Sequence, residues 1–179
     1  MPYPLLTSPR TASHGFTLIE LLVVMVVMGI ALGAVVLQLL PDERAILREE
    51  AQRLALLLEN AGLEARASGR SLAWTVDKNN SDQNSSSSSD TYRFWQKNEY
   101  SDWIKIELDP VFRARALADG VRVAKVSIEN QPLPAGEYLI LSAHSFALPF
   151  QIQLQTAHVT ANVIGHSTGK VSIQLHDVQ

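Results

Sequence analysis

Polar and apolar positions divide the chain into three stretches of different period. Residues 21–37, LLVVMVVMGIALGAVVL, contain no polar side chain, and Leu39 and Leu40 extend the run past Gln38. Between Phe16 and Leu40 only Thr17, Glu20 and Gln38 are polar among 25 residues. A helix of that length spans about 37 Å, enough to cross the hydrocarbon core of a bilayer with some tilt. Pro41 lacks the N–H a helix needs and crowds the preceding turn, so a break or kink is expected over 37–41. Helical spacing then returns. Leu47, Ala51, Leu54, Leu58, Ala61 and Ala65 recur every three to four residues, Leu57 widens the stripe, and Arg48, Glu49, Arg53 and Glu59 lie off it. Gly62 and Gly69 weaken the far end, and Gly69 is the expected C-cap.

Beyond Gly69 the period drops to two. Strands are expected at 72–76, 91–97, 103–108, 121–129, 137–141, 149–156, 159–164 and 170–176. Alternation is cleanest in Gln151–Gln155 and Val171–Leu175, the mark of a sheet with one wet face. Gly120, the 132–136 stretch and Ser167-Thr168-Gly169 supply turns. Residues 78–90, KNNSDQNSSSSSD, are too polar to pack and read as a disordered, Ser-rich loop. The fold class is α+β: a long N-terminal helix, membrane-spanning in its first half and amphipathic in its second, packed on an antiparallel β-sheet or β-sandwich domain.

Composition narrows the chemistry. Cysteine is absent, which excludes a disulfide framework, a thiolate metal site and a Cys nucleophile. The formal charge is −3, the wrong sign for a general nucleic-acid binder. From Asp42 onward there are 14 basic and 17 acidic residues, and the C-terminus carries no basic tail. Arg113, Arg115 and Arg122 cluster in sequence, but Asp109 and Asp119 dilute them. His14, His144, His158, His166 and His176 show no ligand spacing, so no metal is expected. The 165–171 stretch is one residue short of a phosphate-binding loop and puts Val171 where Ser or Thr must hold Mg²⁺. No catalytic constellation, cofactor site or small-molecule substrate is indicated.

The head of the apolar block carries the specific signal. Only Arg10 and the α-amine precede the block, while Asp42, Glu43 and Arg44 follow it. The positive-inside rule therefore keeps the N-terminus cytoplasmic and places the rest across the membrane. The block is long for a signal peptide, and the small-x-small site Ala31-Leu32-Gly33 is followed by bulky aliphatics. Glu20 is the anomaly, because a carboxylate in an apolar span is costly and marks function. Its context, His14-Gly15-Phe16-Thr17-Leu18-Ile19-Glu20, resembles the prepilin-peptidase site of type IV pilins and type II secretion pseudopilins.

That resemblance implies cleavage between Gly15 and Phe16, N-methylation of Phe16 and a mature chain of residues 16–179. His14 stands where the family usually has Lys or Arg. It further implies an assembly pair between the Glu20 carboxylate and a neighbouring subunit's Phe16 amine. Gly29 and Gly33 form a Gly-x-x-x-Gly pair suited to close helix packing. Farther along, Tyr92-Arg93-Phe94, Trp103-Ile104, Phe112–Val121 and Val163–Gly165 with Gly169–Val171 resemble GspH/FimT-like minor pseudopilins. The implied organisation is a leader at 1–15, a transmembrane helix at 16–40, an amphipathic periplasmic helix at 41–69 and a β-rich periplasmic domain at 70–179. The implied role is a non-enzymatic subunit near the tip of a type II secretion pseudopilus. Its partners would be the prepilin peptidase/methyltransferase, inner-membrane lipid before assembly, other minor pseudopilins and the major pseudopilin. A minor pilin of a type IV pilus, including a DNA-uptake FimT-like pilin, is the alternative.

Overall fold

The computed structural model describes residues 17–38, 42–78, 89–144 and 147–177. It divides into two units, residues 1–41 and 42–179. In the first unit, α1 runs from Leu18 to Gln38. Its side chains are described through Gly33, and within the described residues no helix is long and apolar enough to cross a membrane. Leu37 and Gln38 remain helical, while Pro41, at the end of the expected break, lies outside the described residues.

The second unit begins with α2, Glu43–Ser68. Asp42 caps it, its carboxylate accepting from the Arg44 and Ala45 N–H groups at 3.1 and 3.3 Å. Gly69 ends it in the left-handed conformation, φ 68°, where a side chain would be strained. The expected stripe is the buried one, with Leu47, Ala51, Leu54, Leu58, Ala61 and Ala65 all shielded from solvent.

Ten strands follow among the described residues: β1 Leu72–Asp77, β2 Thr91–Lys97, β3 Trp103–Lys105, β4 Arg115–Ala116, β5 Arg122–Ile128, β6 Gln131–Pro132, β7 Leu139–Leu141, β8 Phe150–Gln155, β9 Val159–Gly165 and β10 Val171–Asp177. They form two antiparallel sheets. One is ordered β3-β2-β1-β7 with β4 beside β2; the other is β10-β9-β8-β5-β6. The short β4 and β6 carry no alternation and were not expected from the sequence. β3 ends at Lys105, before the expected residue 108; Ile106 N–H still reaches the Phe94 carbonyl, and Asp109 then starts a turn, its carboxylate accepting from Val111 and Phe112 N–H. β7 begins two residues late because Glu137 N–H turns back to the Pro134 carbonyl around Gly136, φ 86°.

Both sheets and α2 share one core. Leu72, Trp74, Tyr92, Phe94 and Leu139 come from the first sheet, and Ile152, Leu154, Ala161 and Val163 from the second. α2 packs chiefly on β9 and β10. Strand burial follows the pleat: β8 alternates between buried Phe150, Ile152 and Leu154 and wetter glutamines. The long β1–β2 connection leaves and returns at one place, since Asp77 pairs with Thr91. Its return is pinned by Asp90, whose carboxylate accepts from Val123 N–H at 2.7 Å and whose carbonyl accepts from Leu117 N–H at 2.9 Å. Residues 79–88 of the expected disordered loop lie outside the described residues.

Gly165 is required by a close approach. It lies directly across from Phe150, and a Cβ built on it would sit 2.1 Å from a Phe150 ring carbon. The aromatic ring takes the space a side chain would use.

Candidate functional site

Thr17 starts α1. Its side-chain oxygen accepts from Glu20 N–H at 3.3 Å, and its carbonyl accepts from the same N–H at 3.1 Å. Thr17-Leu18-Ile19-Glu20 thus has the spacing of a capping box, a signal present in the sequence and passed over there. Only half of the box forms. The Glu20 carboxylate makes no hydrogen bond or ion pair among the described residues, so local capping does not occupy it. An acidic group three residues into a helix also favours the positive end of the helix dipole. Gly15 and Phe16 lie outside the described residues, and with them the expected cleavage bond, the amine expected to be methylated and the second member of the expected pair; His14 does too.

Gly29 and Gly33 fall on α1 at one-turn spacing. A Cβ at either would meet nothing within 4 Å. Nothing among the described residues therefore requires glycine there, whereas a second helix packing on that face would. The large apolar residues of α1 from Leu18 to Leu32 are exposed, each 46% or more. A helix apolar around its circumference needs lipid or other helices as surroundings.

The second unit positions its surface by fastening α2 to the sheets. Arg44 Nη1 reaches both Asp177 carboxylate oxygens at 3.2 Å. Glu43 meets His158 Nδ1 at 3.3 Å. Hydrogen bonding to Thr156 first, and to His158 after it, holds the Glu43 carboxyl below its usual range. Glu59, off the apolar stripe, accepts from Val171 N–H at 3.1 Å.

Toward the first sheet α2 buries a charge that its apolar spacing does not reveal. Glu50 is 7% exposed and pairs with Arg53 at 2.5 Å. Desolvation raises the Glu50 carboxyl, opposed by the Arg53 charge; the like charge of Glu49 adds to the rise and a hydrogen bond to the Ala118 backbone opposes it. Burial also raises the neighbouring Tyr92 hydroxyl, again against Arg53. The proton linkage follows. A carboxyl raised by folding contributes stability fully below its unfolded value and loses it as pH rises through the folded value. Glu50→Gln should therefore flatten a fall in stability across that window. Urea-unfolding midpoints of both proteins through the weakly acidic range would check it; parallel curves would refute it.

The remaining candidates disperse. Arg115 turns back, its Nη2 donating to the Pro110 carbonyl at 2.9 Å, while Arg113 and Arg122 are exposed. His166 meets Ser172 at 2.8 Å in the β9–β10 connection. There His166 N–H donates to Lys170 O, and Gly169 has φ 84°, making 165–170 a hairpin turn.

Residues 10–36 match the prokaryotic N-terminal methylation motif, the N-terminal signature of type IV pilin-like proteins. The fold matches the minor pseudopilin EpsH from the type II secretion system of Vibrio cholerae. One EpsH structure gives a TM-score of 0.51 at 15% identity, covering 72% of this chain and 95% of that one. A second gives 0.53 at 13% identity, covering 72% and 93%. No curated protein sequence matches the chain. The protein thus carries a pilin-type methylation motif ahead of an α+β domain with the EpsH fold.

Proposed function

We propose that this protein is a minor pseudopilin of a type II secretion system, a structural subunit without catalytic activity. One observation carries the reading: a methylation-motif segment heads an apolar helix in the same chain as an EpsH-like domain. The leader, residues 1–15, is removed after Gly15, and the new Phe16 amine is methylated by the prepilin peptidase/methyltransferase. Cleavage before the apolar block, rather than after it, keeps the helix in the product. The helix holds the unassembled subunit in the inner membrane, N-terminus cytoplasmic and β domain periplasmic. In the filament it packs among other minor pseudopilins and the major pseudopilin, near the tip. The likeness to EpsH supports secretion rather than a type IV pilus.

Mass spectrometry of the wild-type protein should find a chain beginning at methyl-Phe16, and Gly15→Leu should retain the leader. An intact leader in wild type would defeat the reading. Deleting the gene should abolish export by the secretion system and leave type IV pili assembled; the converse would assign the subunit to the pilus.

A further inference from the structure

Among the described residues no helix covers the outer face of the first sheet, yet its middle is dry. On β1, Ala73 and Thr75 point away from the shared core, opposite Trp95 and Arg93 of β2, but they are only 0% and 5% exposed. Aromatic side chains roof them. Tyr138, just before β7, stacks on Trp103 at 5.4 Å between ring centres and meets Trp95 edge-on at 5.4 Å. Trp95 is fixed by its indole N–H, which donates to Thr75 Oγ1 at 2.8 Å. Two lysines complete the array. Lys97 lies directly across from Trp103 with its Nζ 5.9 Å from the ring centre; Lys105 lies across from Trp95 at 5.5 Å. The pattern is a checkerboard of Trp and Lys on neighbouring rows. It does not show in the sequence, because it joins three strands and a turn.

Neither Lys97 nor Lys105 has an ion pair among the described residues. Nearby Arg93 is neutralised by Asp77 at 2.6 Å. The face therefore presents two ammoniums without an ion-pair partner among the described residues, on a domain that is net acidic, and Glu107 and Asp109 border their end of the sheet. Ile140, opposite Ala73, adds apolar surface at 48% exposure. Trp and Tyr dominate the strongest contacts of protein interfaces. Rings and ammoniums already held in place lose little freedom on binding. A nucleic acid suits the face poorly, because Trp103 is stacked by Tyr138 and each Trp ring carries a lysine where a base would stack.

We propose that Trp95, Trp103, Tyr138, Lys97 and Lys105 form a docking surface for an acidic, partly apolar segment of a partner protein. Carboxylates meet the two ammoniums while apolar side chains lie on the ring edges and Ile140. The test uses the full chain in detergent and a labelled peptide of alternating Glu and Leu, read by fluorescence anisotropy. Saturable binding that weakens with added salt is expected. Lys97→Met with Lys105→Met keeps the stems over the rings and should weaken binding about tenfold. An unchanged near-UV circular dichroism spectrum would show the aromatic array intact, and Lys170→Met, on the other sheet, should bind normally. The proposal is overturned by no binding, by equal affinity in the double variant, or by equal affinity for a Lys-Leu peptide. Tighter binding of oligo-dT or polygalacturonate would also overturn it, assigning the face to nucleic acid or an anionic glycan.

Discussion

A Glu20→Ala chain is expected to be made, inserted and trimmed like the parent, and then to be left out of filaments. The carboxylate sits in the first turn of α1, and capping leaves it free to pair. In an assembled filament it would face a low dielectric, where an unmatched charge is unfavourable. On the proposed function, cleavage would create its match, the Phe16 amine of a neighbouring subunit, and methylation would keep that amine cationic. Removing one member of such a buried pair costs roughly 3–5 kcal/mol, because the other remains charged and unpaired. That loss would lower entry by about two orders of magnitude or more. Glu20→Gln should behave the same way, since shape without charge does not pair. Shearing cells and comparing the protein in filament and membrane fractions reads the effect. Parental filament levels in either variant would remove the pairing argument.

The second large effect belongs to the β domain. Gly165→Ala puts a methyl group where the Phe150 ring lies. That ring is 7% exposed within the shared core, so it cannot simply swing outward. Overfilling a packed core typically costs about 1–3 kcal/mol, and this site lies toward the upper end because a ring, not a flexible tip, must move. Thermal or urea unfolding of the domain should show the loss. Phe150→Leu in the Gly165→Ala background should recover part of it, since two residues sharing one space are not additive. A Gly165→Ala domain as stable as the parent would mean that the ring has somewhere else to go.

The elements were largely legible in the sequence because each rests on a local period. The α2 stripe needs only its own spacing, and Gln151–Gln155 declares its pleat by alternation. What stayed hidden depends on the partner across the gap. Glu50 reads as one more helix-surface charge until Arg53 and the first sheet enclose it. Glu59 likewise became a ligand of a β10 amide because α2 lies against that strand. The two-residue strands β4 and β6 are too short for any period; pairing alone defines them. At the α1 head the sequence named Glu20 for its charge, whereas the geometry added Thr17. The aromatic roof required strand register, which no local pattern supplies.

The facing of Asp77 and Thr91 has a practical consequence. These residues close the β1–β2 hairpin by themselves, and Asp90 anchors the return independently. The serine-rich insert between them therefore enters and leaves the domain at adjacent points. Loop-closure entropy changes slowly with length, by only about 0.6 kcal/mol per doubling. A peptide tag or a fluorescent label exchanged for residues 80–87 would leave both sheets and α2 in register, giving a handle for watching the protein in living cells.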